Sequence, residues 1–382
     1  MVIRAKINFH KSEVFVFGAD YQEEKEMANM HNCSLGSFPM KYLGISISDH
    51  NINSVILEPI LEKMRKRLDP WKGKHLSSGG RLILTNSCLS SLPMYCMGFY
   101  LLPKEFHYKM NSIRSNFFWQ GAEKKKCYHM AKWEMVTRPK DQGGLGILDS
   151  RLMNECLLVK WIWKIVQGSN DTWFKLIKGK YMTKGNFFLS SDRDASQFWK
   201  GLHKVKHLFK WGAINKVRDG EGTLFWKDTW WGDVPLKLVY PRFFDICMDK
   251  NARVVDYYEE GEWHIDLKRP LTIADFQVWD ELVTKLVDQE LTHGRDEVTW
   301  VLDKSKTFTT QSMYRFMTDG GIRKDIYKNI WKSKVPLRKW CVTLSDDDQA
   351  FCYRNGVQEK EFPHSPFVIL RDVVSFLQKW RQ

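Results

Sequence analysis

Residues 68–100 read LDPWKGKHLSSGGRLILTNSCLSSLPMYCMGFY, and the fold turns on how this stretch is taken. Ser77-Ser78-Gly79-Gly80 breaks a polar lead, an apolar run extends from Leu82 to Leu92, and Pro93 stops it. Glycines ahead of a run and a proline behind it punctuate a helix of about three turns. Leu84, Cys88 and Leu92 recur at i, i+4 and i+8, which gives that helix an apolar face. Cations crowd the loop leading to it from both sides: Arg65, Lys66, Arg67, Lys72, Lys74 and Arg81. A packed helix reached through a cationic loop suits holding a polyanion; a solubilising rim on an ordinary helix is the alternative.

The flanks extend this helical pattern. Upstream, Ile56, Ile60, Met64 and Leu68 recur every four residues, with Pro59 expected in the first turn or at a kink. The opposite face carries Lys63, Arg65, Lys66 and Arg67. Downstream, Pro103 should open the next helix at its first position, with Phe106, Met110, Ile113 and Phe117 as its core face. Lys124-Lys125-Lys126 is a charged turn, read equally as solvated or as a phosphate contact. Gly143-Gly144-Leu145-Gly146 lacks the Lys-Ser/Thr of a phosphate-cradling loop and reads as a structural turn. Residues 151–166, RLMNECLLVKWIWKIV, are apolar nearly all round, so this helix should be central, with Trp161 and Trp163 in the core. β-prone pieces are confined to Val14–Phe17 and residues 42–47. A helix with Phe276, Trp279, Leu282, Val283 and Leu286 inward is expected within 272–291. The expected fold class is mainly α with small β elements.

Composition narrows the function. With 43% apolar residues among 382, the chain can bury a real core. Its eight cysteines form no C-x-x-C pair and no signal peptide precedes them, which reads as reduced thiols in an intracellular protein, nuclear or cytoplasmic. No apolar run is long enough for a membrane span. The net charge of +14 is unevenly placed. Residues 51–140 carry 16 Lys/Arg against 6 Asp/Glu and residues 141–220 carry 14 against 7, an excess of +17, while the remainder is −3. Such asymmetry points to an acidic partner, most simply nucleic acid.

Several blocks resemble plant LINE-type (non-LTR) retrotransposon reverse transcriptases. The run W-K-G-K-x-L-S-x-G-G-R-L-x-L-x-x-S-x-L-x-S-L-P-x-Y, Trp71 to Tyr95, is similar to their thumb region. Lys6–Glu13 and Lys41-Tyr42-Leu43-Gly44-Ile45 resemble the end of the palm. Phe117–Gly121, Trp133, Pro139-Lys140, Gly143–Ile147, Asn154 and Lys160-Trp161 continue the pattern. The segment Trp211–Trp230 resembles a hairpin of these elements, turned at Asp219-Gly220 and Glu221-Gly222. Phe308-Thr309-x-x-Ser312-x-Tyr314 and Ile330-Trp331-Lys332-x-x-x-Pro336 resemble the opening of their zinc-binding region. The organisation implied is a palm-end remnant at 1–50, a helical thumb-like bundle at 51–166, and a loosely organised, aromatic-rich α+β region at 167–300. A truncated zinc-region start at 301–340 and an unmatched tail at 341–382 complete it.

The resemblance implies binding without catalysis. In the family the catalytic aspartates lie upstream, in an aromatic-x-Asp-Asp hairpin, and Met1 stands beyond that point. Asp346-Asp347-Asp348 comes after Leu344-Ser345 instead and reads as a solvated acidic turn. Polymerases need such carboxylates to hold two metal ions. No catalytic residue is therefore assigned, and primer extension on an RNA template with magnesium or manganese is expected to give no product above background. Extension lost on mutating Asp346–Asp348 would overturn that. Cys341 and Cys352 are too widely spaced for paired zinc ligands and His364 is isolated, so neither metal nor cofactor is expected. The expected function is sequence-independent binding of a duplex or RNA/DNA hybrid through Lys63, Arg65, Lys66, Arg67, Lys72, Lys74 and Arg81. Trp71 is the candidate base or sugar contact, its alternative being a core anchor. A translated pseudogene, or a protein–protein adaptor using the aromatic region 161–231, are the competing expectations.

Overall fold

The computed structural model describes residues 8–9, 12–16, 18–42, 44–48, 51–72, 76–120, 131–182 and 185–321, the side chains of 71, 72 and 120 excepted. The expectations for Lys74, Lys124–Lys126, Cys341, Asp346–Asp348, Cys352 and His364 lie outside the described residues. Within them the fold is mainly helical with short strands only.

The N-terminal part holds the two β-prone pieces. β1 (Glu13–Val14) pairs parallel with β2 (Ser34–Leu35) across helix α1 (Tyr21–Met30). Asp20 caps α1 by accepting from the backbone of Gln22 and Glu23, while the Glu23 carboxylate accepts from the Asp20 N–H, a capping box. β3 (Met40–Tyr42) and β4 (Ile45–Ile47) form a hairpin whose tight turn has Gly44 at φ +86°.

Helix α2 (Ser54–Lys72) starts under Asn53, whose side chain accepts from the backbone of Val55 and Ile56. Its core face is Leu57, Leu61, Met64 and Leu68, all buried, while Ile56 and Ile60 sit at the flank. The spacing is thus i, i+4, i+7, i+11, the true helical stripe, and not the strict four-residue repeat expected from the sequence. Pro59 lies in the second turn on the exposed side, where its missing N–H leaves a carbonyl to water.

The helix expected at 82–92 begins earlier. α3 (Ser78–Leu84) is capped by Ser77, whose hydroxyl accepts from Gly80 at 3.2 Å, so both glycines fall in its first turn. It runs directly into a π turn, Thr85–Leu89, in which Ser90 N–H reaches Thr85 O at 3.0 Å. The extra residue of a π turn rotates the chain beyond it about the helix axis. Leu82, Thr85 and Leu89, spaced i, i+3 and i+7, are buried, and the expected face of Leu84, Cys88 and Leu92 is only half-buried. After a short helix α4 (Met94–Met97), α5 (Lys104–Gln120) buries Phe106, Met110 and Phe117 as expected, with Ile113 packed at the edge. Pro103 precedes α5 and accepts its first backbone bond from Phe106.

α6 (Trp133–Thr137) leads to the glycine-rich turn, which folds back on it. Gly144, Leu145 and Gly146 donate to Pro139, Val136 and Arg138 carbonyls, each at 3.0 Å. Gly143 and Gly146 have φ of +86° and +66°. The turn seats Leu145 and Ile147 in a small core with Leu82, Phe118 and Val136.

α7 (Ser150–Gln167) is the central helix, capped by Asp149 and buried at Met153, Asn154, Cys156, Leu158, Val159, Ile162 and Ile165. Asn154 is fully buried, accepts from Leu102 N–H at 2.8 Å and donates to the Met97 and Tyr100 carbonyls at 2.7 Å. Trp161 Nε1 donates to the Gly98 carbonyl at 2.7 Å. Two residues of the family-like pattern therefore clamp the 97–102 bend. On its other side α7 packs against α8 (Thr172–Tyr181) and α9 (Gln197–Phe209), in a core that includes Trp199, Leu202, Phe209 and Trp300.

The expected hairpin at 211–230 does not form. β5 (Ala213–Lys216) pairs antiparallel with β8 (Glu297–Trp300), about eighty residues on. The loop at 218–223 wraps the Asp296 carboxylate, which accepts from the backbone of Arg218, Gly220 and Gly222 and from the Thr223 hydroxyl at 2.7–3.1 Å. Satisfying one carboxylate four times outweighs closing a local two-strand ribbon. Between β5 and β8 lie α10 (Leu236–Val239), α11 (Pro241–Ile246), the hairpin β6–β7 (Tyr258–Glu259, Glu262–Trp263) and α12 (Ile273–Val287), around a core of Phe225, Trp226, Tyr257, Leu282 and Leu286. Phe276 on α12 is exposed, contrary to expectation, because the face is set by Trp279, Leu282 and Leu286.

α13 (Thr310–Met317) explains the Phe308-Thr309-x-x-Ser312-x-Tyr314 pattern. Phe308 stacks on Trp163, and Thr309 caps the helix. Ser312 accepts from Trp300 Nε1 at 2.9 Å, and the Tyr314 hydroxyl accepts from Asp149 N–H at 2.8 Å. These residues dock α13 on the start of α7.

Candidate nucleic-acid interface

α2 presents its cations from a rigid support. Four buried apolar side chains fix its rotation, each worth about 1.5–3 kcal/mol. Lys63, Lys66 and Arg67 are exposed and, at i, i+3 and i+4, share one turn of helix surface. Among the described residues none of the three has a carboxylate within 4 Å. Glu62 lies exposed on the same helix without reaching them. Like charges so placed cost a few tenths of a kcal/mol per pair, which a bound anion would relieve.

Arg65 is different. Its Nη1 donates to Glu58 Oε1 at 2.6 Å, and Glu58 Oε2 stands 4.0 Å from Lys109, which also reaches Glu105 at 3.0 Å. This chain of charges ties α2 to α5 and leaves Arg65 less charge to offer a ligand. Arg81 is half-buried in α3, with Nη2 donating to Ser78 Oγ at 3.4 Å. Trp71 and Lys72 end α2; their side chains, like Lys74, lie outside the described part of the structure. The structure therefore groups Lys63, Lys66 and Arg67, and sets Arg65 and Arg81 apart.

Sequence reasoning missed two buried polar groups on α5, the helix packed against α2. Arg114 on α5 is fully buried and donates to Ser90 Oγ and the Leu148 carbonyl, both at 2.9 Å, and to Asn111 Oδ1. Burial pulls its pKa down to about 10, against the opposing pull of Asp149, so it stays charged at neutral pH. His107 is buried two turns earlier, with Nδ1 2.9 Å from Ser150 Oγ and Nε2 without a hydrogen-bond partner. Burial pushes its pKa down to about 4. An arginine and a histidine inside an amphipathic pattern look like surface residues, and only the Phe106–Met110–Phe117 spacing hinted otherwise.

The aromatic region 161–231 turns mostly inward. Trp161, Trp163, Trp173, Trp199, Trp226, Trp230 and Trp231 are buried or half-buried, and Trp211 is exposed. Among the described residues no group of three or more His, Cys, Asp or Glu side chains is placed to hold a metal ion. No described helix is long and apolar enough to cross a membrane.

No family model matches the chain. It is similar to an Arabidopsis thaliana protein named "Putative ribonuclease H protein", 28% identical over 303 residues, covering 75% of this chain and 47% of that protein. It is also similar to an uncharacterized mitochondrial protein of Arabidopsis thaliana, 27% identical over 142 residues, covering 37% of this chain and 92% of that protein. The chain thus spans about half the length of the first relative. Both likenesses support a retroelement-derived origin for the chain.

Proposed function

We propose that this chain is a non-catalytic, sequence-independent nucleic-acid-binding derivative of a plant LINE-type reverse transcriptase, gripping a duplex or RNA/DNA hybrid by its phosphates. The observation that carries this is the exposed Lys63–Lys66–Arg67 turn of α2, held rigid by its buried face and, among the described residues, with no carboxylate within 4 Å. It lies within the span that carries the whole positive excess of the chain. Helix-borne cations with no hydrogen-bonding side chain aimed at a base edge suit phosphate contacts, which position a ligand without reading its sequence. Ribonuclease H activity, carried in the first relative's name, requires grouped carboxylates and metal ions. That name belongs to the relative, of which this chain covers 47%, and the proposal for this chain is binding.

Phosphate binding releases counterions, so duplex affinity should fall with salt at a log–log slope of roughly −0.9 per phosphate neutralised. Changing Lys63, Lys66 and Arg67 together to Gln should weaken binding to all sequences alike and flatten that slope by about 0.9 for each phosphate no longer neutralised. Fluorescence anisotropy on duplex and hybrid probes from low to physiological salt measures both. A flat salt response in the parent, or a triple variant that binds as the parent does, would remove the proposal.

A further inference from the structure

α9 buries Trp199, Leu202, Val205, Leu208 and Phe209, which leaves Lys200, Lys204, His207 and Trp211 along its outer side. Their spacing of i, i+4, i+7 and i+11 makes one stripe, roughly 16 Å long at helical rise. The helical sense carries past Phe209 to Trp211, whose N–H reaches the Leu208 carbonyl at 3.2 Å. Lys204 and His207 are exposed and Lys200 half-buried. Neither lysine has a hydrogen-bond or ion-pair partner among the described residues. Neither α8 nor α9 contains an acidic residue. Glu155 on α7 interacts electrostatically with His207 and is held by Arg151 at 3.6 Å.

Trp211 ends the stripe. It is 51% exposed, the one exposed tryptophan among those described, and its Nε1 donates to no described group. His207 at 6.2 Å and Phe316 at 5.9 Å brace its ring at steep angles, and Phe316 is itself 43% exposed. A large ring left half in water but fixed on two sides costs little entropy when something stacks on it. Cations in line with such a ring are the parts from which single-strand binding surfaces are built: a basic track for the backbone and a platform for a base. A duplex keeps its bases stacked inside and cannot use the platform.

We propose that this α9 edge is a second nucleic-acid surface, selective for a single strand, with Lys200 and Lys204 on phosphates and Trp211 beneath a base. It rests on the nucleic-acid reading of the chain's charge but not on the α2 face. An adaptor role, with a protein seated on Trp211 and Phe316, is the competing use of the same patch.

The test uses the full chain, with labelled single-stranded oligo-dT and oligo-U against a mixed-sequence duplex. Trp211→Ala should lose about ten-fold in single-strand affinity and leave duplex affinity and the single-strand salt slope unchanged. Trp211→Phe should restore most of the loss. Lys200→Gln with Lys204→Gln should instead flatten the single-strand slope by about 0.7 per lysine. Single-strand affinity unmoved in Trp211→Ala, or duplex affinity lost equally, overturns the proposal and favours a protein partner. If Trp211→Ala does not fold, an unchanged slope in the lysine pair overturns it alone. Duplex binding indifferent to the α2 triple variant sinks the α2 face and leaves the single-strand result to stand by itself.

Discussion

Replacing Gly144 by alanine should destabilise the protein by about 4 kcal/mol or more, enough to remove most of the stability of an ordinary domain. A Cβ at this position would lie 1.9 Å from the Arg138 carbonyl oxygen and 2.4 Å from its carbon. Both are backbone atoms, so no side chain can swing aside. The backbone must move, and with it the three bonds by which the turn holds Val136, Arg138 and Pro139. Each is worth about 1 kcal/mol, and Leu145 and Ile147 lose their seats as well. Gly179→Ala in the last turn of α8 is the control: nothing lies within 4 Å of its Cβ, and a helical position there should gain about 0.5 kcal/mol from the change. Urea midpoints of the two variants should move in opposite directions. A Gly144→Ala protein with the parent midpoint would show that the turn does not approach α6 so closely.

Acidification is the second large effect. His107 is neutral in the fold, with its pKa down at about 4, against about 6.5 in the unfolded chain. Both states are neutral at pH 7. As pH falls below 6.5 the unfolded state binds a proton that the folded state refuses, so stability is lost progressively down to pH 4. The loss through this residue is about 3 kcal/mol. Burial drives the effect; Asp149 opposes it, and Arg114 and Arg151 reinforce it. His203, lowered by burial and by Lys206, adds in the same direction. His107→Gln should therefore be less stable at pH 7 but flatter between pH 6.5 and 4. Parallel urea titrations at three pH values give the difference. Identical pH slopes in parent and variant would mean that His107 is solvated.

The sequence made some of this legible and hid the rest for physical reasons. The α5 face was readable because nothing interrupts its period, and the α7 core because its apolar run admits no other arrangement. The face of α3 was not readable, since Leu82–Thr85–Leu89 and Leu84–Cys88–Leu92 both fit a helical period and the stripe that is buried contains a polar threonine. Asp219-Gly220 looks like a hairpin turn locally, and only the distant Asp296 reveals the centre around which the loop folds. Of the candidate site, exposure of Lys63, Lys66 and Arg67 was legible in the α2 pattern. The capture of Arg65 by Glu58 depends on a helix rotation that a strict four-residue repeat misjudged. Lys200, Lys204, His207 and Trp211 do line up on a helical wheel, but a tryptophan in so aromatic a region is assigned to the core by default.

Asn154 and Tyr314 give α7 obligations on both sides, to the 97–102 bend and to α13. A break in the chain just after α7 would strip Trp161, Trp163 and Ile165 of partners that come from residues 173–308. The two regions that sequence divides at 166 should therefore melt together, in one transition by tryptophan fluorescence and by far-UV dichroism. Severed there, α7 would turn toward water the aromatic rings that now lie against Trp173, Trp300 and Phe308.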